Sequence, residues 1–272
     1  VASWLCMAAW LIRYEAFPEY FSQPVSGYKG LLSREILVLD SWMKITFRGS
    51  DIGYSHTGMD VDENNPTEHY IINNRMHIVL NMMGSRKNIH ALTSIMLDMS
   101  YNLNRFTFSF SSPVAVVRVS GVRKEGSTFE VKVRMQSDRQ DTYRIQIPDD
   151  VILYSPLSET AMKRLRTGQQ MTVRTLDPIS MKRVNLLVRA LRREKITVTD
   201  APIDCTVLST EYQGMNMLSW LDDKGGVVRQ ESPIGLAMQK CTPEQAYAAA
   251  LGSQNADEVL TAILPLMLIT EK

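Results

Sequence analysis

Apolar and polar residues alternate along most of the chain between Trp42 and Pro148. In TFEVKVRM (128–135), Phe129, Val131 and Val133 alternate with charged or polar side chains, which is typical of a strand with one buried and one solvated face. The same alternation, or an enrichment in β-branched and aromatic residues, is found in EHYIINNRMHIVLNMMG, KNIHALTSIMLDM, NRFTFSFSS, PVAVVRVSG and QDTYRIQIP. Because short polar turns separate these segments, the pattern predicts an antiparallel meander.

The period changes after Pro148. SPLSETAMKRLRTG (155–168) predicts a short helix with Ser158 as its N-cap and Gly168 just after its last turn. Strand patterns then return in QQMTVRTLDP, MKRVNLLVRALRREKITVTD, DCTVLSTEYQG and NMLSWLDDKGGVVRQESP. The second half of the chain is therefore also expected to be mainly β.

Two local signals close this region. In LDDKGGVV, Asp222 is followed by Gly225, which predicts a hairpin turn. Thr242 and Gln245 have the spacing of a capping box, and the proline between them suits the first helical position. They predict a helix over TPEQAYAAALG (242–252).

These elements predict a mainly β (α+β) fold. We expect a strongly curled antiparallel sheet with a few helices packed on or filling its concave face, similar in architecture to lipoprotein-carrier folds. The expected parts are a membrane anchor and its boundary (1–21), a linker (22–41), the β domain with its helices (42–252) and a C-terminal tail (253–272).

The anchor prediction rests on VASWLCMAAWLI (1–12), which contains no charged residue. Twelve residues are shorter than the ~20 that a transmembrane helix needs, so we interpret them as the distal part of a signal-anchor helix. A short hydrophobic helix packed on the domain is the alternative. We expect a single-pass protein of the bacterial cytoplasmic membrane with its main domain on the periplasmic side, although its orientation requires the charges of both flanks.

Composition and charge narrow the function classes. The chain is 44% hydrophobic and 22% charged, as expected for a folded protein with a core, and its net charge is +1. This balance gives no electrostatic case for nucleic acid. The basic stretches KRLR (163–166) and MKRVNLLVRALRREK (181–195) contain no interleaved aromatic residues, so we expect no nucleic-acid partner.

The stretch WMKITFRGSDIGYSHTGMDV (42–61) raises the question of a reaction site. Gly53, Tyr54, Ser55 and His56 follow one another in it. One histidine and one serine without an evident third partner do not make a nucleophilic set, whereas a hairpin explains the glycine through its backbone freedom. We therefore interpret the stretch as scaffold, in which Gly53 and Tyr54 matter for packing and His56 matters least.

The cysteines point to neither a metal site nor a nucleophile. Cys6, Cys205 and Cys241 have none of the spacings of a zinc site. A Cys205–Cys241 disulfide and two buried free thiols both stay open. Cys241 precedes a helix, but the four histidines all lie in the first half of the chain. We predict no catalytic residue, metal or cofactor.

Two motif regions resemble a known family. Through residues 42–57 and 219–246, the chain from roughly residue 40 to residue 250 resembles the N-terminal, non-catalytic β domain of bacterial envelope transglutaminase-like proteins of the planctomycete type. A tryptophan-led strand, a Gly-Tyr-x-His strand, a Trp-x-Asp-x-x-Gly hairpin and a capped helix carry the resemblance, through Trp42, Gly53, Tyr54, His56, Trp220, Asp222, Gly225 and Thr242. In that family a Cys, His, Asp core follows the domain, and the resemblance transfers no catalytic role to Cys205, Cys241 or His56.

The expected function is that of a membrane-anchored extracytoplasmic interaction domain, a non-enzymatic subunit or accessory of an envelope complex. Its partners would be other membrane or envelope subunits, together with the bilayer through the N-terminal helix. Two alternatives stay open. One is a lipid or lipoprotein carrier with an apolar concavity, for which the ligand would be a lipid or another small molecule; the other is the regulatory front part of a transglutaminase-like enzyme.

Overall fold

The computed structural model describes residues 4, 7, 23–24, 27–32, 40–82, 85–135, 140–153, 165–177, 181–199, 201–212 and 214–251. The predicted anchor (1–21), apart from residues 4 and 7, the predicted tail (253–272) and most of the predicted helix 155–168 lie outside these residues. None of the described helices has both the length and the apolar character that a membrane span requires.

The described residues form two short helices and sixteen strands. The helices are α1 (Gly27–Leu31) and α2 (Pro243–Leu251). The first nine strands are β1 (Gln23–Pro24), β2 (Asp40–Phe47), β3 (Ser50–Val61), β4 (Tyr70–Met82), β5 (Ser85–Leu97), β6 (Leu103–Ser111), β7 (Val116–Glu125), β8 (Thr128–Met135) and β9 (Gln140–Gln146). The others are β10 (Ile152–Leu153), β11 (Gln170–Leu176), β12 (Arg183–Val198), β13 (Ala201–Tyr212), β14 (Met215–Asp222), β15 (Val227–Glu231) and β16 (Leu236–Lys240).

All sixteen strands described belong to one sheet that is mainly antiparallel. Strands β2 to β9 pair in chain order, as do β11 to β16, and β16 pairs with β2 to join the two runs. The predicted mainly β fold and its antiparallel meander are confirmed. The short strands β1 and β10 differ, because both pair with β11 in parallel.

The sheet curls so that one face packs against itself. Phe106 and Phe129 of the first meander belong to the same buried hydrophobic cluster as Val173, Leu186 and Leu208 of the second. We call the face that carries this cluster the inner face, and the opposite one the outer face. Burial of these side chains is the main source of stability for the sheet.

Part of the predicted linker (22–41) belongs to the core. Tyr28 of α1 is only 3% exposed and lies in the inner cluster. Its hydroxyl accepts a hydrogen bond from the backbone N–H of Leu153 at 3.0 Å, and burial raises the pKa of that hydroxyl. Tyr28 and Leu32 of this range are therefore core residues, and the hydrogen bond satisfies the buried hydroxyl.

Helix α2 lies on the outer face, against β2, β3 and β4. Ala246 and Ala250 share a buried cluster with Tyr54 and Val79 of the sheet. The prediction that the helices pack on the concave face therefore applies to α1 and not to α2. The small side chains of Ala246 and Ala250 let the helix lie close to the strands on that face.

The two local signals near the end of the β region are confirmed. Asp222 Oδ1 accepts hydrogen bonds from the N–H groups of Lys224 and Gly226 in the turn between β14 and β15. At the start of α2, Thr242 Oγ1 accepts from the N–H of Gln245, and Gln245 Oε1 accepts from the N–H of Thr242. The helix over Pro243–Leu251 thus begins with the predicted capping box.

Candidate functional site

Cross-strand pairing places two rows of side chains on the outer face. The first row follows the pairs Trp42–His56, His56–Arg75 and Arg75–Leu92 across β2 to β5. The second row consists of Asp40, Gly58, Asn73, Ser94 and Thr107, on β2 to β6. The rows are two residues apart along each strand, which corresponds to about 7 Å.

These two rows line an open groove of about 810 Å³. Tyr247 of α2 lines it as well, next to Trp42, with 5.4 Å between the two ring centroids. Gly58 has no side chain, so nothing rises from the floor between Asp40 and Asn73. The groove therefore has aromatic rings on the side of the helix and polar groups along its floor.

His56 is held in this groove by two contacts. Its ring stacks on the indole of Trp42, with 4.0 Å between centroids and 20° between planes. Its Nε2–H donates to Asp40 Oδ1 at 2.7 Å. The structure thus supplies the third partner that the sequence did not reveal, a carboxylate that orients the imidazole.

Ser55 is separated from His56 by the sheet itself. Successive residues of a strand point to opposite faces, and Ser55 points to the inner face, where it is 3% exposed. Its hydroxyl accepts a hydrogen bond from Asn74 Nδ2 at 3.0 Å. The imidazole and this hydroxyl therefore cannot act on the same reacting group.

Gly53 and Tyr54 occupy tightly packed positions beside the groove. A Cβ atom at Gly53 would lie 2.0 Å from the carbonyl oxygen of His77, so β4 leaves no room for a side chain there. The ring of Tyr54 meets that of Tyr247 edge-on at 5.3 Å. Burial raises the pKa of Tyr54, as does the neighbouring Tyr247, whereas Arg75 lowers it.

Both described cysteines are free thiols away from His56. The N–H of Cys241 donates to the carbonyl of Trp42, and Trp42 in turn pairs with His56 across β2 and β3. Cys241 and His56 are therefore two strand spacings apart, which corresponds to about 10 Å between their backbones. Burial raises the pKa of Cys241 and raises that of Cys205 to about 11. The structure therefore shows two free thiols where the sequence left a Cys205–Cys241 bridge open.

A pair of histidines lies on the outer face next to the groove. The rings of His77 and His90 stack at 4.4 Å, and Tyr54 meets His77 edge-on. Burial lowers the pKa of His77; the nearby His90 and Arg86 act in the same direction, and a hydrogen bond to Asn88 opposes them. Among the described residues, no group of three or more His, Cys, Asp or Glu side chains could hold a metal ion.

Several polar groups of the groove are available to a ligand. Within the described part of the chain, the guanidinium of Arg75 and the carboxylate of Asp60 make no hydrogen bond or ion pair, and both side chains are exposed. Asn73 Oδ1 accepts from the Ser94 hydroxyl at 2.7 Å, which fixes the amide and leaves its Nδ2 group free to donate. The groove thus combines side chains that are already held in place with polar groups that lack a hydrogen-bond partner among the described residues.

Of the eight motif residues, Trp42 and His56 line the groove, and Gly53 and Tyr54 support it. Thr242 caps the helix that carries Tyr247. Trp220, Asp222 and Gly225 lie in β14 and its turn, three strands from β2 in the sheet order. Only the strand register and the packing of α2 bring together the other lining residues, which no sequence pattern indicates: Asp40, Asn73, Arg75, Leu92 and Tyr247.

Comparisons with known proteins give distant likenesses of shape. No protein-family model and no curated protein matches the chain. A β-barrel-like protein of the domain of unknown function DUF1849 from Brucella abortus is 12% identical with a TM-score of 0.49, covering 75% of this chain and 95% of that one. A DUF1089 family protein from Pseudomonas aeruginosa is 12% identical with a TM-score of 0.32, covering 74% and 95%. Neither likeness indicates a function.

Proposed function

We propose that the chain is a non-enzymatic binding domain of the bacterial envelope, which holds its ligand or partner in the groove between α2 and strands β2 to β6. The observation that supports this most is the combination of exposed, unpaired polar groups such as Arg75 and Asp60 with the aromatic wall of Trp42 and Tyr247. A concave surface with a small number of convergent polar groups is typical of a binding site.

The chemistry of the groove favours binding over catalysis. Asp40 could orient His56 as a general base. A covalent mechanism also needs a nucleophile within hydrogen-bond reach of that base. Ser55 lies on the inner face, and Trp42 lies between Cys241 and His56. We therefore assign the Asp40–His56 pair a positioning role, in which it holds the Trp42 ring and presents polar atoms to the ligand.

The proposed envelope location rests on the sequence. The uncharged N-terminal segment favours a membrane anchor, and partners would be other envelope subunits. We propose in addition that the curled sheet has an architecture similar to that of lipoprotein carriers. A lipid cargo is less favoured, because Phe106 and Phe129 fill the inner face within a buried cluster and the groove has a polar floor. The alternative of a regulatory front part of a transglutaminase-like enzyme stays open, because such a domain could bind a ligand in this groove.

Site-specific photo-crosslinking in living cells tests the proposal. A photoreactive amino acid is incorporated in place of Leu92, which lines the groove and is 46% exposed. The control carries it in place of Met135 on β8, which is 58% exposed and lies outside the groove. Irradiated cells are analysed by gel mobility and mass spectrometry of the tagged full chain.

The proposal predicts a discrete adduct, protein or not, from position 92 and none of comparable yield from position 135. Equal yields at both positions, or an adduct from position 135 alone, would contradict it. Release of free product from a substrate by the purified chain, abolished in Asp40→Asn, would instead show that the groove is catalytic.

A further inference from the structure

We infer that the ligand of the groove is an uncharged saccharide chain, bound with its sugar rings against Trp42 and Tyr247. The inference rests on the proposed function and names the ligand class of the same site. Three features of the groove support it: the aromatic wall, the hydrogen-bonding groups of the floor and the charge of the lining residues.

The aromatic wall offers what a pyranose ring needs. The C–H groups on one side of a sugar ring form an apolar, weakly positive surface that packs on the negative face of an aromatic ring. Tyr247 is 51% exposed, and its ring stands beside that of Trp42 at an angle of 55°, so the two rings form an angled platform. The stacking of Trp42 on His56 fixes the indole in place before a ligand arrives.

The floor offers the complementary polar groups. Sugar hydroxyls both donate and accept, and neighbouring hydroxyls are bound well by planar groups with two donors or two acceptors. Arg75 presents a fork of donors, Asp60 a pair of acceptors and Asn73 a free amide N–H₂. All three lie on the groove side opposite to α2 or on its floor, within reach of a chain that rests on the rings.

The charge of the groove favours a neutral ligand. Asp40 is hydrogen-bonded to His56, so the unpaired charged groups among the described residues that line the groove are Asp60 and Arg75, one of each sign. A phosphate or carboxylate bound by Arg75 would enter a groove that is also lined by Asp40 and Asp60, and like charges repel one another. A strongly cationic ligand would meet Arg75 instead. The volume of about 810 Å³ is within the range of about 300 to 1,000 Å³ for small-molecule sites, which suits a short oligosaccharide.

Isothermal titration calorimetry of the full chain with defined probes tests this inference. The neutral probes are cellotetraose, chitotetraose and maltotetraose. The competing classes are represented by tetragalacturonate, which is anionic, and by a capped, uncharged tetrapeptide. We expect at least one neutral tetrasaccharide to bind with a millimolar or tighter Kd, and tetragalacturonate and the peptide to bind more weakly than it.

Matched variants locate the binding. Tyr247→Ala and Arg75→Ala should each weaken saccharide binding by roughly tenfold. Tyr143→Ala, at 49% exposure on β9, and Arg134→Ala, exposed on the outer face of β8, should leave it unchanged. Thermal melts of each variant show whether the fold is retained.

Three results would overturn the inference: no neutral probe binds at millimolar concentration, the anionic probe or the peptide binds best, or the groove variants bind as the wild type does. A positive crosslink from position 92 combined with any of these would leave the binding groove in place and exclude a saccharide as its ligand. Binding that is lost equally in Tyr143→Ala would place the saccharide elsewhere.

Discussion

The ring of His56 stacks on the indole of Trp42 at 4.0 Å, while its Nε2–H donates to Asp40 at 2.7 Å. A side chain that the sequence suggested would matter least thus connects β2 and β3 at the edge of the groove. Its position leads us to revise the expectation that His56 matters least in this stretch, because one imidazole contacts both an aromatic ring and a carboxylate.

His56→Ala should lower the free energy of unfolding by about 1 to 2 kcal/mol, the combined effect of an aromatic pair and a partly exposed hydrogen bond. His56→Phe retains the stacking and should recover about half of that loss. Urea denaturation of both variants measures the difference. A urea denaturation curve of His56→Ala identical to that of the wild type would show that neither contact contributes to stability in solution.

Gly53→Ala should destabilise the protein by about 3 kcal/mol, because the added methyl group would lie 2.0 Å from the carbonyl oxygen of His77. The control is Gly126→Ala, where no atom lies within 4 Å of the added Cβ and only the positive φ of 54° is unfavourable. That variant should lose about 1 kcal/mol. Equal losses in the two variants, measured by chemical denaturation, would contradict the close approach of β3 and β4.

Thr242→Ala should lower the free energy of unfolding by about 1 kcal/mol, because it removes a bond of the capping box. It should also weaken ligand binding, because the helix that it caps carries Tyr247 into the groove. Lys240→Ala, exposed on β16 and outside the cap, serves as the control. Stability measurements paired with calorimetry would reject this coupling if Thr242→Ala bound ligand as tightly as Lys240→Ala.

The stability of the protein should depend on His77 at mildly acidic pH. Burial lowers the pKa of His77 below its ordinary value of 6.5, so the unfolded chain binds a proton more readily than the folded one. The contribution of His77 is therefore full above pH 6.5 and decreases as the pH falls towards its lower folded pKa. The groups facing it are His90, Arg86, Asn88 and Tyr54.

Melting temperatures of the wild type and His77→Gln between about pH 7.5 and pH 5 measure this effect. The wild type should lose more stability on acidification than the variant, which cannot take up the proton. Parallel curves for the two proteins would show that His77 titrates alike in the folded and unfolded chains.

Much of the fold could be predicted from the sequence because its signals are local. The alternation around Phe129 and Val131 predicts strand β8, the Asp222–Gly225 spacing predicts the hairpin, and Thr242 with its partner predicts the start of α2. Each involves residues close together in the chain, whose preferences act before any tertiary contact forms. The burial of Tyr28 was missed, because its hydroxyl is satisfied by Leu153, which lies far along the chain.

The groove could not be predicted in the same way. Asp40 on β2 and Asn73 and Arg75 on β4 look like ordinary residues of the solvated faces of two strands. Only the register of β2 against β3 and of β3 against β4 makes them neighbours. Tyr247 joins them because α2 packs on the outer face. The small alanines of the helix are compatible with this packing, but their positions in the sequence do not predict it.

Hydroxyl-radical footprinting of the full chain tests most directly whether the groove is a binding surface. Tyr247 in the groove and Tyr143 on β9 are 51% and 49% exposed, so they serve as a matched pair within one molecule. Oxidation of each is measured by mass spectrometry in the purified chain and in intact cells. We predict that oxidation of Tyr247 falls in cells relative to that of Tyr143. An unchanged ratio between the two tyrosines would contradict a ligand or partner in the groove.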